Sequence, residues 1–337
     1  MSSGKLSILS LLLVSATLIL SACGGSRSAA LTIYSGQHEQ TTEKLVALFE
    51  KQTGISVSVR SGDEATLGNQ IVQEGSNSPA DVFYSENTPV LEALRERGFL
   101  ASVAPTTLAA IPAAESSAQG RWLGVSARAS ALIYDTRGLT VAQLPHSILE
   151  LADAKWKGKV GFAPSETDFQ PLLSAIVKLD GIAVAERWLT GLQANGRIYP
   201  DNETVVNQVN NGESAIGPIN SYYWYRLRAE LGSGGTHSAV RYYSAGDPGD
   251  LVDVSGAAVL RSSTHEAAAQ AFLAFLVSRS GQQAIAHSHS YEYPLRPGVS
   301  PAAGLPPLAG LHPAALSPAE LGDGSTALAL EQKLGLL

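Results

Sequence analysis

Two tyrosines, Tyr222 and Tyr223, stand side by side in the run Ile219-Asn220-Ser221-Tyr222-Tyr223-Trp224-Tyr225. Adjacent phenols are a poor catalytic pair but a good chelate for a small, highly charged cation such as Fe(III). A phenol titrates near pH 10, so ionising it at neutral pH costs about 4 kcal/mol. A trivalent ion offsets that cost, because its charge dominates the local proton chemistry. On a helix, neighbouring side chains splay by about 100°, which suits adjacent places on an octahedral ion. In a strand they point to opposite faces. The same run also reads as an aromatic cover for a core edge, and the pair alone does not choose.

The elements that must position these side chains follow from the apolar periodicity. Short β-prone runs at 31–34, 55–59, 81–84, 131–134, 159–162 and 257–260 predict strands. Between and after them, apolar residues recur at helical spacing over 64–74, 89–97, 172–179, 183–192, 204–210, 265–277 and 280–286. A further helix, with Leu45, Val46, Leu48 and Phe49 on one side, ends at Gly54. Strict alternation of strand and helix implies parallel β-α-β units with right-handed crossovers. Beyond Ser300 the chain is rich in proline, glycine and alanine, and a short helix is expected near 328–334. Two α/β units leave a crevice where small ligands bind, outside the carboxyl ends of the strands.

The first 22 residues read as a signal peptide: Lys5 precedes an apolar stretch from Leu6 to Leu20 that is too short to span a bilayer. Leu20-Ser21-Ala22-Cys23-Gly24 resembles the lipobox of bacterial lipoproteins, which makes Cys23 the expected lipidation site and 23–30 a tether. Cys23 is the one cysteine, so no disulfide framework or thiolate metal site is expected in the mature protein. Two acyl chains give a stable anchor. The reading is therefore an extracytoplasmic domain held to the cell membrane, and a monomer. The 337 residues carry a net charge of −7, with 16% charged and 45% hydrophobic residues. That balance argues against nucleic acid or anionic lipid as the main partner.

Several blocks, in order, resemble one family: Leu31-Thr32-Ile33-Tyr34-Ser35-Gly36-Gln37-His38, then 78–86, 155–161, the tyrosine run, 247–249 with 255–260, and Tyr293-Pro294-Leu295-Arg296. The chain resembles the ferric-ion-binding proteins that deliver iron to bacterial ABC transporters. The resemblance implies an α/β, two-lobed periplasmic-binding-protein-like fold (type II), each lobe a mostly parallel sheet flanked by helices. The lobes are expected at 31–128 plus 254–300 and at 129–253 plus 301–337. It also implies Fe(III) held by His38 and Glu86 from one lobe and by Tyr222 and Tyr223 from the other, then passed to a membrane permease. Hard oxygen donors with one imidazole fit that ion.

In the family the remaining positions are filled by water or a small anion such as phosphate or carbonate. Asn220 and Asn202 stand where anion-binding asparagines are expected, and Asn87 where some members have glutamine. The expected helix start, Pro164-Ser165-Glu166-Thr167-Asp168, offers a capping box of Ser165 with Asp168 and free N–H groups near Thr167. Glu166 and Asp168 depart from the family's neutral residues. They would repel an anion, and they free Asp168 to close the helix end or approach the metal. Protonating the phenolates or His38 is expected to loosen the ion. His287 and His289 read as surface residues.

Two rival readings stand beside this one. The same fold carries polyamines, thiamine and other small solutes, and Tyr222, Tyr225 and Glu86 could wall an organic cation. A lipid-anchored hydrolase is disfavoured: there is no Gly-x-Ser-x-Gly elbow, no His-Glu-x-x-His and no phosphate loop, so no enzyme activity is expected.

Overall fold

The computed structural model describes residues 31–311 and 316–337. The expected signal peptide, Cys23 and tether lie outside the described residues. Among the described residues no helix is long and apolar enough to cross a membrane.

The chain opens with β1 (Leu31–Ser35), α1 (Glu39–Thr53) and β2 (Val57–Ser61). In β1, Leu31 and Ile33 enter one apolar core while Tyr34 faces another, the alternation of a strand covered on both faces. Gly54 closes α1 in the left-handed conformation that the helix end requires. Next come α2 (Glu64–Glu74), capped where Asp63 accepts from the Thr66 amide at 2.7 Å, then β3 (Val82–Ser85), α3 (Thr88–Glu96) and the single turn α4 (Pro105–Leu108). The long strand β4 (Leu123–Asp135) leads to β5 (Val160–Phe162), α5 (Phe169–Asp180), α6 (Ile182–Asn195) and β6 (Gly196–Ile198). Then follow α7 (Asn202–Asn211), β7 (Ile216–Asn220), α8 (Ser221–Gly235, broken at Gly232) and β8 (Ser238–Arg241). The chain returns through β9 (Val252–Val259), α9 (Glu266–Leu276), α10 (Arg279–Ala286) and β10 (Tyr293–Pro294) to α11 (Ser325–Lys333).

The strands order as β2-β1-β3-β9-β4-β7-β5-β6, with β8 and β10 also paired to β4. The sheet is mixed: the β-α-β units pair in parallel as expected, and antiparallel pairing surrounds β4. β1 pairs with β2 and β3, and β5 with β6 and β7, in parallel, but every partner of β4 is antiparallel, as is β3 with β9. The cause is the pair β4 and β9, which run past each other through the middle of the molecule. The first part of β4 pairs with β9 and β10, the remainder with β7 and β8. One apolar core gathers Leu31, Phe49, Val82, Val125 and Phe272; a second gathers Leu132, Phe162, Leu173, Trp188 and Ile216, with Ala327 and Leu330 of α11. Burying one such large side chain contributes about 1.5–3 kcal/mol, so the cores fix where each strand end points.

Candidate metal centre

Four helix starts meet in the middle of the molecule. His38 is the N-cap residue of α1, Asn87 of α3, Asp168 of α5 and Asn220 of α8. Glu86 precedes Asn87, and Tyr222 and Tyr223 lie in the first turn of α8. The positive ends of these helix dipoles favour ionised carboxylates and phenolates. Each start follows a strand or a strand-end turn, which is why residues far apart in sequence share one crevice.

The donors converge. The Tyr222 hydroxyl donates to Asp168 Oδ2 at 3.0 Å and stands 3.4 Å from Glu86 Oε1. The Tyr223 hydroxyl reaches Asp168 Oδ2 at 3.2 Å and Glu166 Oε2 at 3.3 Å. His38 Nε2 lies 3.5 Å from Glu86 Oε1 and makes no hydrogen bond, although it is buried. Asp168 Oδ1 is also buried without a partner, 3.9 Å from Arg128 Nε. Among the described residues no three His, Cys, Asp or Glu side chains form a metal-holding group. The phenols are therefore needed to complete any donor set. The tyrosine rings do not splay: they stack at 4.1 Å, and side-chain rotation brings both hydroxyls to one carboxylate oxygen. The His38 ring meets Tyr222 edge-on at 5.4 Å.

Electrostatics divide the groups. Burial, then Asp168, Tyr223 and Glu86, push the Tyr222 phenol well above its ordinary 10, against the opposing pull of Arg128. Burial, then Asp168, Glu86 and Glu166, do the same to Tyr223. Burial and Asp168 raise Glu86, with Arg128 opposing, and burial with Asp168 lifts Glu166 to about 7. His38 moves the other way: burial first, then Arg226 and Arg128, push it down to about 2. The imidazole is therefore neutral at any physiological pH.

The sequence reading missed Arg128, which lies on β4 and is fully buried. Its Nη1 is 3.0 Å from Glu86 Oε1 and 3.5 Å from Glu292 Oε1; its Nη2 is 3.4 Å from Asp253 Oδ2 and also bonds Asn87 Oδ1 and the Glu86 carbonyl. Behind it, Glu64 accepts from Ser85 Oγ at 2.6 Å and from the Asn87 amide and side chain at 2.8 and 2.9 Å. Gly36 makes this possible, since a Cβ there would come within 2.4 Å of Glu64 Cβ. The signal for Arg128 was present: a lone arginine in a strand of alanine, serine and valine implies a paired, buried charge.

The expected anion residues divide. Asn202 and Asn220 line a crevice beside Asp168 of about 10 Å³, near the lower limit for one water and too small for phosphate. Asn87 instead bridges Glu64 and Arg128. The capping box is corrected. Helix α5 begins at Phe169, Asp168 makes no cap hydrogen bond, Ser165 donates to the Pro200 carbonyl at 3.3 Å, and Thr167 is half-buried ahead of the helix. The Asp168 carboxylate turns to the tyrosines instead. Tyr225, the proposed wall for an organic cation, turns to Tyr242, with hydroxyls 3.5 Å apart, and stacks on Tyr291. His287 and His289 are exposed.

Comparison with known proteins identifies the family. Residues 44–307 match the family of bacterial extracellular solute-binding proteins. An Fe(3+)-binding periplasmic protein of Serratia marcescens is 36% identical over 97% of this chain and 96% of its own length. A major ferric iron-binding protein of Neisseria meningitidis serogroup B is 37% identical over 91% of this chain and 93% of its own. The crystal structure of iron-bound HitA from Pseudomonas aeruginosa superposes with a TM-score of 0.86 at 43% identity, covering 90% of this chain and 99% of that one. The chain is a binding protein and not an enzyme. It belongs to the bacterial extracellular solute-binding proteins, and within them to the ferric-ion-binding family that its sequence resembles.

Proposed function

We propose that this protein captures Fe(III) as its cargo between two lobes and delivers it to the permease of an ABC transporter in the cytoplasmic membrane. The ligands are His38 Nε2, a Glu86 oxygen and the Tyr222 and Tyr223 phenolates, joined by Asp168 in place of a phosphate or carbonate. The carrying observation is the convergence of both phenol hydroxyls on Asp168 Oδ2, at 3.0 and 3.2 Å, beside Glu86 and the unpartnered His38 Nε2. Neighbouring donors on an octahedral ion with bonds of about 2.1 Å lie about 3 Å apart, so these spacings suit one small ion better than an organic cation.

The charges support the same reading. Two phenolates, Glu86 and Asp168 exceed a trivalent ion by one negative charge, and the Arg128 guanidinium beside Glu86 and Asp168 compensates it. Loading expels the phenol protons, which the metal's charge makes favourable. The lobes are 31–128 plus 254–300 and 129–253 plus 301–337, with the hinge where Arg128 of β4 pairs with Asp253 of β9. His38 and Glu86 then belong to one lobe and Asp168 with the tyrosines to the other, so the ion stabilises closure by its differential affinity for the closed form. Closure marks the loaded state for the permease. Lipidation of Cys23 tethers the domain outside the cytoplasmic membrane, as a monomer.

The test is a visible absorption titration of the metal-stripped domain with ferric iron, with and without phosphate or carbonate. A phenolate-to-iron band saturating at one equivalent, indifferent to anion, is expected. Absence of the band would sink the ferric reading; a band that needs the anion would remove Asp168 from the ligand set.

A further inference from the structure

One cation at the mouth of the cleft has no part in the donor set. Arg226 lies one turn beyond the tyrosines on α8, at the i+4 and i+3 positions that share their face. Its guanidinium carbon stands 4.6 Å from the centre of the Tyr222 ring and 5.7 Å from that of Tyr223, both within reach of a cation–π attraction. Its Nε donates to the His289 carbonyl at 3.1 Å, in the loop between α10 and β10, and its Nη1 is 3.6 Å from Glu203 Oε1. The side chain is 26% exposed and edges a cavity of about 460 Å³ lined also by His38, Thr41, Lys44 and His289. Arg226 thus leaves the tyrosine helix, lies within reach of both phenol rings and nearer Tyr222, and ends on the side of the cleft that carries α1 and α10. The contacts of Tyr222 with Glu86 and of Arg128 with Asp168 also cross the cleft, but they involve proposed donors that an ion must rearrange.

Resting on the ferric reading, we propose that Arg226 is a positioning residue for the metal: a cationic clasp that links the tyrosine helix to the loop between α10 and β10. A neutral phenol offers the guanidinium only its ring quadrupole. A phenolate offers a full negative charge, and Coulomb attraction at this partly buried position exceeds that in bulk water. Arg226 therefore holds the tyrosine helix to the opposite loop beside the donors, which opposes opening of the cleft around a bound ion. The phenol hydroxyls turn to Asp168, Glu86 and Glu166 rather than to the guanidinium. Glu203, 67% exposed, contributes little by itself.

Substitution separates charge from clasp. In Arg226→Lys the ammonium stands where the guanidinium carbon was, over the rings, and a methylene replaces the donating Nε. Arg226→Gln removes the charge. Wild type and both variants are loaded with ferric iron, their band positions recorded, and release followed by stopped flow under excess EDTA. Arg226→Gln is expected to release iron roughly 3- to 30-fold faster, with the band at longer wavelength because the phenolates lose their stabilising cation. Arg226→Lys is expected to keep the wild-type band but release faster. A glutamine variant with wild-type band and rate overturns the inference while leaving the ferric site intact. A lysine variant with the wild-type rate overturns the clasp, and it decides the matter if the glutamine variant does not fold. A wild type without any band fails the ferric reading itself, and this inference with it.

Discussion

On the tyrosine bank of the cleft, burial and Asp168 hold both phenols protonated well above their ordinary range; on the opposite bank, burial strips the proton from His38 at any pH above about 2. The banks also differ in how they are built. Tyr222 and Tyr223 are consecutive on one helix and stack on each other, whereas His38 and Glu86 follow separate strands, β1 and β3, whose parallel pairing brings them together. Burial has opposite effects on acids and bases because it always disfavours the charged form. The histidine bank is therefore ready for a cation. On the proposed ferric reading the tyrosine bank gives up protons to receive one, and that exchange is where a pH dependence of binding would arise.

The largest expected effect comes from breaking the tyrosine bank. Tyr222→Phe or Tyr223→Phe should each weaken ferric binding by more than about 100-fold, the upper range for loss of a residue that merely supports a ligand, and should diminish the phenolate band. His38→Ala should cost less than either, because the histidine brings no charge to the ion. Equal losses from His38→Ala and the tyrosine changes, measured by competition with citrate, would erase the contrast between the banks.

Both tyrosine hydroxyls reach Asp168 Oδ2; if Asp168 stands in for an anion as proposed, Asp168→Ala should cost about 10- to 100-fold and make binding depend on added phosphate or carbonate. Isothermal titration with and without the anion tests this, and anion-independent binding by the variant would assign the role elsewhere.

The third effect is a slope. Both phenols are protonated in the metal-free protein, so loading releases a proton from each and raising the pH favours binding. The logarithm of the apparent ferric affinity should rise by about 2 or more per pH unit between pH 5 and 7. His38→Ala should leave that slope unchanged, since His38 binds no proton there. A slope that falls in the histidine variant would place a proton on the wrong bank.

The smallest effect lies outside both banks and serves as a control. Glu331 on α11 is buried with Oε1 unpartnered, and burial pushes its carboxyl from 4.5 to about 8. The folded state therefore binds a proton that the unfolded chain has lost, and wild-type stability should fall as pH rises from about 4.5 to about 8. Glu331→Met should raise the melting temperature at pH 9 by about 2–4 °C, the equivalent of about 1 kcal/mol, with no effect on iron affinity. A change in affinity would link α11 to the cleft.

Much of the framework was legible because it depends on local periodicity. The reading of 64–74 as a helix matches α2, and Gly54 ends α1 as expected, since apolar spacing and caps act within a few residues. The start of α5 was misplaced for a specific reason. Ser165 with Asp168 has the spacing of a capping box, but the pull of two phenol hydroxyls on Asp168 and of the Pro200 carbonyl on Ser165 prevails over the local option. The short strand β8 was missed because its partner β4 supplies the pairing.

The amino-acid order by itself determined which donors exist: two adjacent phenols, a histidine and a glutamate after strands, and carboxylates where the resembling family has neutral residues. Those are matters of composition and short-range pattern. Only the tertiary structure decided that the phenols stack and share Asp168, that Arg128 from mid-strand pairs with Glu86 and approaches Asp168, and that Arg226 crosses the cleft to His289. These contacts join residues from distant parts of the chain, and burial sets which of them hold charge. Neither the partners nor the burial is encoded at any single position.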